Sequence, residues 1–113
     1  MVDDEPQVRA TVREALALEG YDVSEASNGA EALALLRTAE PEAIVLDLWM
    51  PIMDGWAFRR AQRASHPQIP VIIVSALDLS SEHLEELDAS AVIGKPFDLD
   101  TLYDAVESAL SKR

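Results

Sequence analysis

The chain has 113 residues, 49% of them hydrophobic, which is enough for one compact core and too little for two. Its 21 acidic residues against 9 basic ones give a formal charge of −12, which repels a phosphate backbone and argues against nucleic-acid binding. Cysteine is absent, which excludes disulfides and thiolate metal sites, and neither a membrane span of ~20 apolar residues nor a signal peptide is visible, so a soluble cytoplasmic domain is expected.

In chain order, Val8, Val12 and Leu16 recur four apart behind Asp4, Glu5 and Pro6, which read as cap and first-turn residues, and Gly20 closes this first helix. The stretch YDVSEA, 21–26, alternates like a half-buried strand. Asn28-Gly29 then turns into AEALALLRTAE, where Leu33 and Leu36 share a helical face. AIVL at 43–46 and VIIV at 71–74 are β-branched runs of the kind that a parallel strand covered on both faces requires. Between them Phe58, Ala61 and Ala64 mark a third helix that ends before Pro67, with Asp54 and Gly55 at its cap. A fourth helix is expected over 81–87, AVI at 91–93 is a short strand, and Leu102, Val106 and Leu110 line a last helix after Asp98. No repeat or linker interrupts, so residues 1–113 read as one domain with no output domain attached.

Strands alternating with helices imply a parallel sheet with right-handed crossovers and helices on both faces, a doubly wound α/β fold. Ligand chemistry in such folds lies at the carboxyl ends of the strands. Three segments carry polar residues there: Asp47 after AIVL, Ser75 after VIIV and Lys95 shortly after AVI, while Asp3 and Asp4 precede the first helix and belong to the same rim. A carboxylate at the end of the most hydrophobic stretch of the chain is a poor choice for a mere loop cap.

The motifs VDDE (2–5), DLWMPIMDG (47–55), VSA (74–76) and KPF (95–97), in this order and spacing, resemble the receiver domain of two-component response regulators over essentially the whole chain. The resemblance implies a flavodoxin-like sheet of order 2-1-3-4-5. It also implies phosphoryl transfer to Asp47 from a histidine kinase or phosphotransfer protein, Mg²⁺ beside it, and an effector that reads the modified state. Neighbouring carboxylates repel unless a cation intervenes, and Mg²⁺ takes oxygen ligands from one or two of them. Asp4 and Asp47 are the expected direct ligands, Asp3 acts through water, and the Trp49 backbone carbonyl completes the set by family analogy. Lys95 supplies a fixed ammonium, and Ser75 a hydrogen bond that exists only once the phosphoryl group is there. The resemblance allows a cis bond before Pro96.

The sequence also departs from the family. Val92 stands three residues before the lysine, where many receivers carry an aromatic switch residue. Trp49 is bulkier than the residues often found two places after the acceptor, and only Met1 and Val2 precede Asp3, so most of the family's first strand is missing. A gap in the centre of the sheet leaves its neighbours without backbone partners, so a homo-oligomer formed by strand exchange is expected. Two rival readings stand beside the first. A phosphorylation-independent docking or dimerisation module would usually lack Asp47, Ser75 or Lys95, and a haloacid-dehalogenase-like phosphatase would place a second Asp where Trp49 stands. His66 and His83 read as solvated, Trp49 as partly exposed and Phe58 as core.

Overall fold

The two β-branched runs form adjacent parallel strands in a computed structural model, which describes residues 1–76 and 78–111. The elements run α1 (Pro6–Leu18), α2 (Gly29–Thr38), β1 (Ile44–Asp47), α3 (Gly55–Ser65), β2 (Val71–Ser75), α4 (Ser81–Leu87), β3 (Ala91–Gly94) and α5 (Leu99–Ser111). The sheet has the order β1-β2-β3, with Ile44 opposite Val71, Asp47 opposite Val74 and Ser75 opposite Gly94. Side chains alternate along a strand, so Ile44, Leu46 and Ile73 enter a core with Leu36 of α2 and Phe58 of α3. Val45, Ile72 and Val74 enter the opposite core with Leu16 of α1 and Leu102 and Val106 of α5. Covering both faces is what allows the runs to be continuously apolar.

The stretch YDVSEA corrects the sequence-based expectation. It forms no strand, and of its residues Ala26 alone makes a β-bridge, to Val2. Val2 in turn bridges Leu46 in parallel. Its amide donates to the Val45 carbonyl at 2.8 Å, its carbonyl accepts from the Asp47 amide at 2.9 Å, and the Asp3 amide donates to Ala26 at 3.1 Å. The central gap expected from the short N terminus is therefore closed at the rim end. Counting the bridged residues as strands, the lateral order Ala26, Val2, β1, β2, β3 is that of a 2-1-3-4-5 sheet. A ladder at 21–25 needs a strand beside it, and propensity alone does not supply one.

Local chemistry sets the helix starts. Glu5 caps α1 with no side-chain hydrogen bond, and Pro6 follows in the first turn, where its missing N–H costs nothing. Asn28 and Asp54 cap α2 and α3 through the amides of Glu31 and Ala57, each at 2.9 Å. Ala64 lies exposed, whereas Arg59 and Gln62 join Phe58 on the buried face of α3. Arg59 donates from Nε to the Leu87 carbonyl at 2.9 Å and from Nη2 to the Asp88 carbonyl at 2.8 Å. It thereby satisfies carbonyls at the end of α4. His83 is exposed, as expected, and it also completes a capping box with Ser80 while its ring meets Trp56 edge-on at 5.1 Å. The Lys95–Pro96 peptide bond is cis. Among the described residues no helix is long and apolar enough to cross a membrane.

Between Asp47 and α3 the Met53 amide donates to the Pro51 carbonyl at 2.8 Å, closing a three-residue turn with Ile52 at φ 68°. A β-branched side chain is strained there, and Ile52 is 85% exposed, so burial returns little. Ile52→Gly is expected to raise the unfolding free energy by about 0.5–1 kcal/mol, the relieved strain exceeding the entropy that glycine adds to the unfolded chain. Urea unfolding of both proteins checks the sign, and a destabilised variant would show that the turn is unstrained.

Candidate functional site

Asp47 is the last residue of β1 and only 4% exposed, because the strand that carries it is covered on both faces. The bond between its amide and the Val2 carbonyl fixes the N-terminal residues beside it. Asp3, Asp4 and Asp47 each bring a carboxylate oxygen within 4.8 Å of the others. Asp3 is fully buried and Asp4 exposed. Lys95, one residue past β3, is anchored by its amide, which donates to the Ser75 carbonyl at 2.8 Å. Its Nζ donates to Asp3 Oδ2 at 2.9 Å and lies 3.6 Å from Asp47 Oδ1 and 3.7 Å from Glu5 Oε1. Ser75 ends β2 and is buried one register step beyond Val74, the partner of Asp47. Trp49 is half exposed, and its backbone N–H lies on the side of the Asp47 carboxylate, where it favours the charged form. All six residues singled out in the sequence thus lie at one end of the sheet.

The electrostatics follow from crowding and burial. Burial pushes the Asp47 carboxyl up to about 6, and the Asp3 and Asp4 charges push the same way, while Lys95 and the Trp49 N–H oppose them. For Lys95 burial lowers the ammonium, but the hydrogen bond and charge of Asp3, with the charges of Asp47 and Glu5, hold it above its ordinary value. One ammonium stands against three clustered carboxylates. The donor set is all hard oxygen and includes the solvent-facing Asp4, so it fits a hard divalent cation.

The contacts that several neighbours make escaped the sequence reading. Gly55 begins α3 hard against the end of β1: an added Cβ would sit 2.4 Å from the Asp47 carbonyl oxygen, while the Gly55 amide donates to the Leu48 carbonyl at 2.8 Å. Arg9 donates to the Asp3 carbonyl at 2.7 Å and pairs with Glu25. Asp3 Oδ1 accepts from the Glu5 amide at 2.9 Å. A glycine directly behind a helix cap was the available sign of a close approach. Arg9, on an ordinary helical face, offered none.

The same combination of fold and rim occurs in known proteins. The response regulator receiver domain family matches residues 1–107. The chain belongs to this family. Response regulator MprA of Mycobacterium sp. strain KMS is 37% identical over 114 aligned positions, covering 99% of this chain and 50% of that protein. The receiver described here therefore spans about half the length of such curated relatives. Among solved structures, response regulator TrrA of Thermotoga maritima in complex with Mg²⁺–BeF superposes with a TM-score of 0.88 at 30% identity, over 96% of this chain and 95% of that one. Chemotaxis protein CheY4 of Vibrio cholerae gives 0.88 at 32% identity, over 96% and 94%. These likenesses make the fold flavodoxin-like and the domain a signalling module of two-component systems, not a classical enzyme. Val92, in place of an aromatic residue, is partly exposed on β3.

The pH dependence of the receiver follows from the raised Asp47 carboxyl. An ordinary aspartate titrates near 4 and the folded one near 6, so folding favours the protonated form, and stability falls as pH rises through this window. Without divalent cations, Asp47→Asn is expected to be more stable than wild type by about 1–2 kcal/mol at pH 7.5, with the difference shrinking toward zero below pH 4. Urea unfolding in EDTA across that range measures it. A difference independent of pH would remove Asp47 as its source.

Proposed function

We propose that Asp47 accepts a phosphoryl group from the phosphohistidine of a histidine kinase or a phosphotransfer protein, and that an effector protein reads the modified receiver. The observation that carries this reading is the convergence of a buried strand-end carboxylate, two further carboxylates and a fixed ammonium on one rim. The Asp47 carboxylate attacks phosphorus, the P–N bond breaks, an acyl phosphate forms and the imidazole leaves. Such a transfer asks the protein chiefly to position groups and neutralise charge.

Asp4 and Asp47 would hold Mg²⁺ directly, Asp3 through water, and the Trp49 carbonyl would complete the protein's share. When bound, the ion offsets the carboxylate repulsion and the charge of the phosphoryl oxygens. The solved Mg²⁺–BeF complex of TrrA supports this choice of ion. Lys95, already held between Asp3 and Asp47, pairs with the incoming phosphoryl oxygens. Ser75 donates its hydroxyl to one of them, a contact available only in the modified state, and so shifts the β2–α4 segment. Trp49 beside the acceptor restricts water and prolongs the acyl phosphate.

Acetyl phosphate with Mg²⁺ is expected to add the mass of one phosphoryl group to the intact protein, and Asp47→Ala or EDTA to abolish the gain. Lys95→Ala should slow the reaction about tenfold or more. Ser75→Ala should still be modified but should lose the amide-exchange change on phosphorylation. Modification of Asp47→Ala at the wild-type level would overturn the assignment of the acceptor, and an unchanged exchange response in Ser75→Ala would overturn its switching role.

A further inference from the structure

Helix α4 is attached to the domain differently from the other helices. It buries Leu87 alone, and residues 81–86 all lie exposed. Each of α1, α2, α3 and α5 buries at least three residues. A helix of seven residues does not persist by itself in water, so tertiary contacts must hold it. Apolar burial supplies one side chain of that hold, where Leu87 joins the core that contains Phe58 and Ile73.

The rest comes from arginines on α3. Arg59, 7% exposed, turns a fork on the end of α4: Nε donates to the Leu87 carbonyl and Nη2 to the Asp88 carbonyl. A helix end leaves such carbonyls without partners of its own. The third arm, Nη1, donates to Gln62 Oε1 at 2.5 Å, and the fully buried Gln62 donates in turn to the His66 carbonyl at 2.7 Å, so α3 itself sets the direction of the guanidinium. Arg63 adds a bond to the Glu86 carbonyl at 2.9 Å and pairs with Asp88, and Arg60 pairs with Glu86. Those outer side chains are well exposed, so water and salt screen them, and the buried fork carries the attachment. At its other end α4 meets α3 through the edge of one ring, His83 on Trp56.

We propose that Arg59 is a latch: when its fork releases the Leu87 and Asp88 carbonyls, α4 opens as one unit and uncovers the core around Leu87, while β1, β2 and β3 stay paired. Few buried contacts have to break for this to happen, which is the condition for opening below the level of global unfolding. The latch is geometric more than ionic. A lysine keeps the charge but is a point donor that does not span two carbonyls. Without the fork the closed state holds unpaired polar groups, and the balance moves toward the open one.

Native-state hydrogen exchange on the 113-residue protein tests this at the Leu84 and Asp88 amides, which donate to the Ser80 and Leu84 carbonyls, and at the amides of β2. In the wild type the α4 amides are expected to exchange at least about tenfold faster than those of β2. Arg59→Met should speed the α4 amides by a further factor of about ten or more and leave β2 unchanged, with Arg59→Lys between the two. Arg63→Ala should change them by less than about threefold. Three results would overturn the latch: α4 amides as slow as those of β2 in the wild type, an acceleration in Arg59→Met that β2 shares, or an Arg63→Ala effect equal to that of Arg59→Met. Should Arg59→Met not fold, Arg59→Lys makes the same comparison: acceleration confined to α4 supports the latch, and unchanged or shared exchange overturns it.

Discussion

The short contact between Lys95 and Asp3, 2.9 Å across 92 positions of sequence, is the constraint on which the rest of the rim depends. Three carboxylates whose oxygens gather within 4.8 Å would drive one another apart or take up protons, and Asp3 has no access to solvent that could screen it. A single ammonium, 3.6 Å from Asp47 as well, offsets part of that repulsion. The compensation is partial by construction: the Asp47 carboxyl is still pushed up to about 6. A rim left short of positive charge and built of hard oxygen donors fits a hard cation.

Holding such a cluster requires a scaffold that yields little. Asp47 sits on a strand buried on both faces, and the loop after it is pressed by the start of α3 so closely that Gly55 leaves no room for a methyl group. On the next strand, the Ser75 carbonyl accepts from the Lys95 amide, which holds the two backbones side by side. From there the chain enters α4, whose far end is clamped by Arg59 through the carbonyls of Leu87 and Asp88, and whose near end meets Trp56 through His83. Both ends of α4 are thus held by contacts to α3.

At the rim, Val2 supplies bridges on both sides and holds Asp3 and Asp4 level with Asp47. At the opposite end the segment 21–25 keeps the alternating exposure of a strand without forming a ladder. Burial of alternate side chains and backbone pairing are separate contributions, and here the first is present without the second.

Much of the domain was legible from residue pattern. β-branched runs with no polar interruption meant strands covered on both faces, periodic leucines and valines marked α1, α2 and α5, and Asn28 and Asp54 announced the helix starts that they cap. Parallel strands joined by helices all point the same way, so residues directly after each run had to meet on one rim, and Asp47, Ser75 and Lys95 do. What the sequence could not specify depends on distances through space between positions far apart in the chain. Tertiary packing decided that Asp3 is buried while Asp4 faces solvent, and that Arg59 and Gln62, not Ala64, face inward because the end of α4 offers carbonyls there. It also decided that Asp47 titrates well above an ordinary aspartate. Residue types set which chemistry was available, and the desolvation and charge contacts that tune it exist only once the chain has brought its ends together.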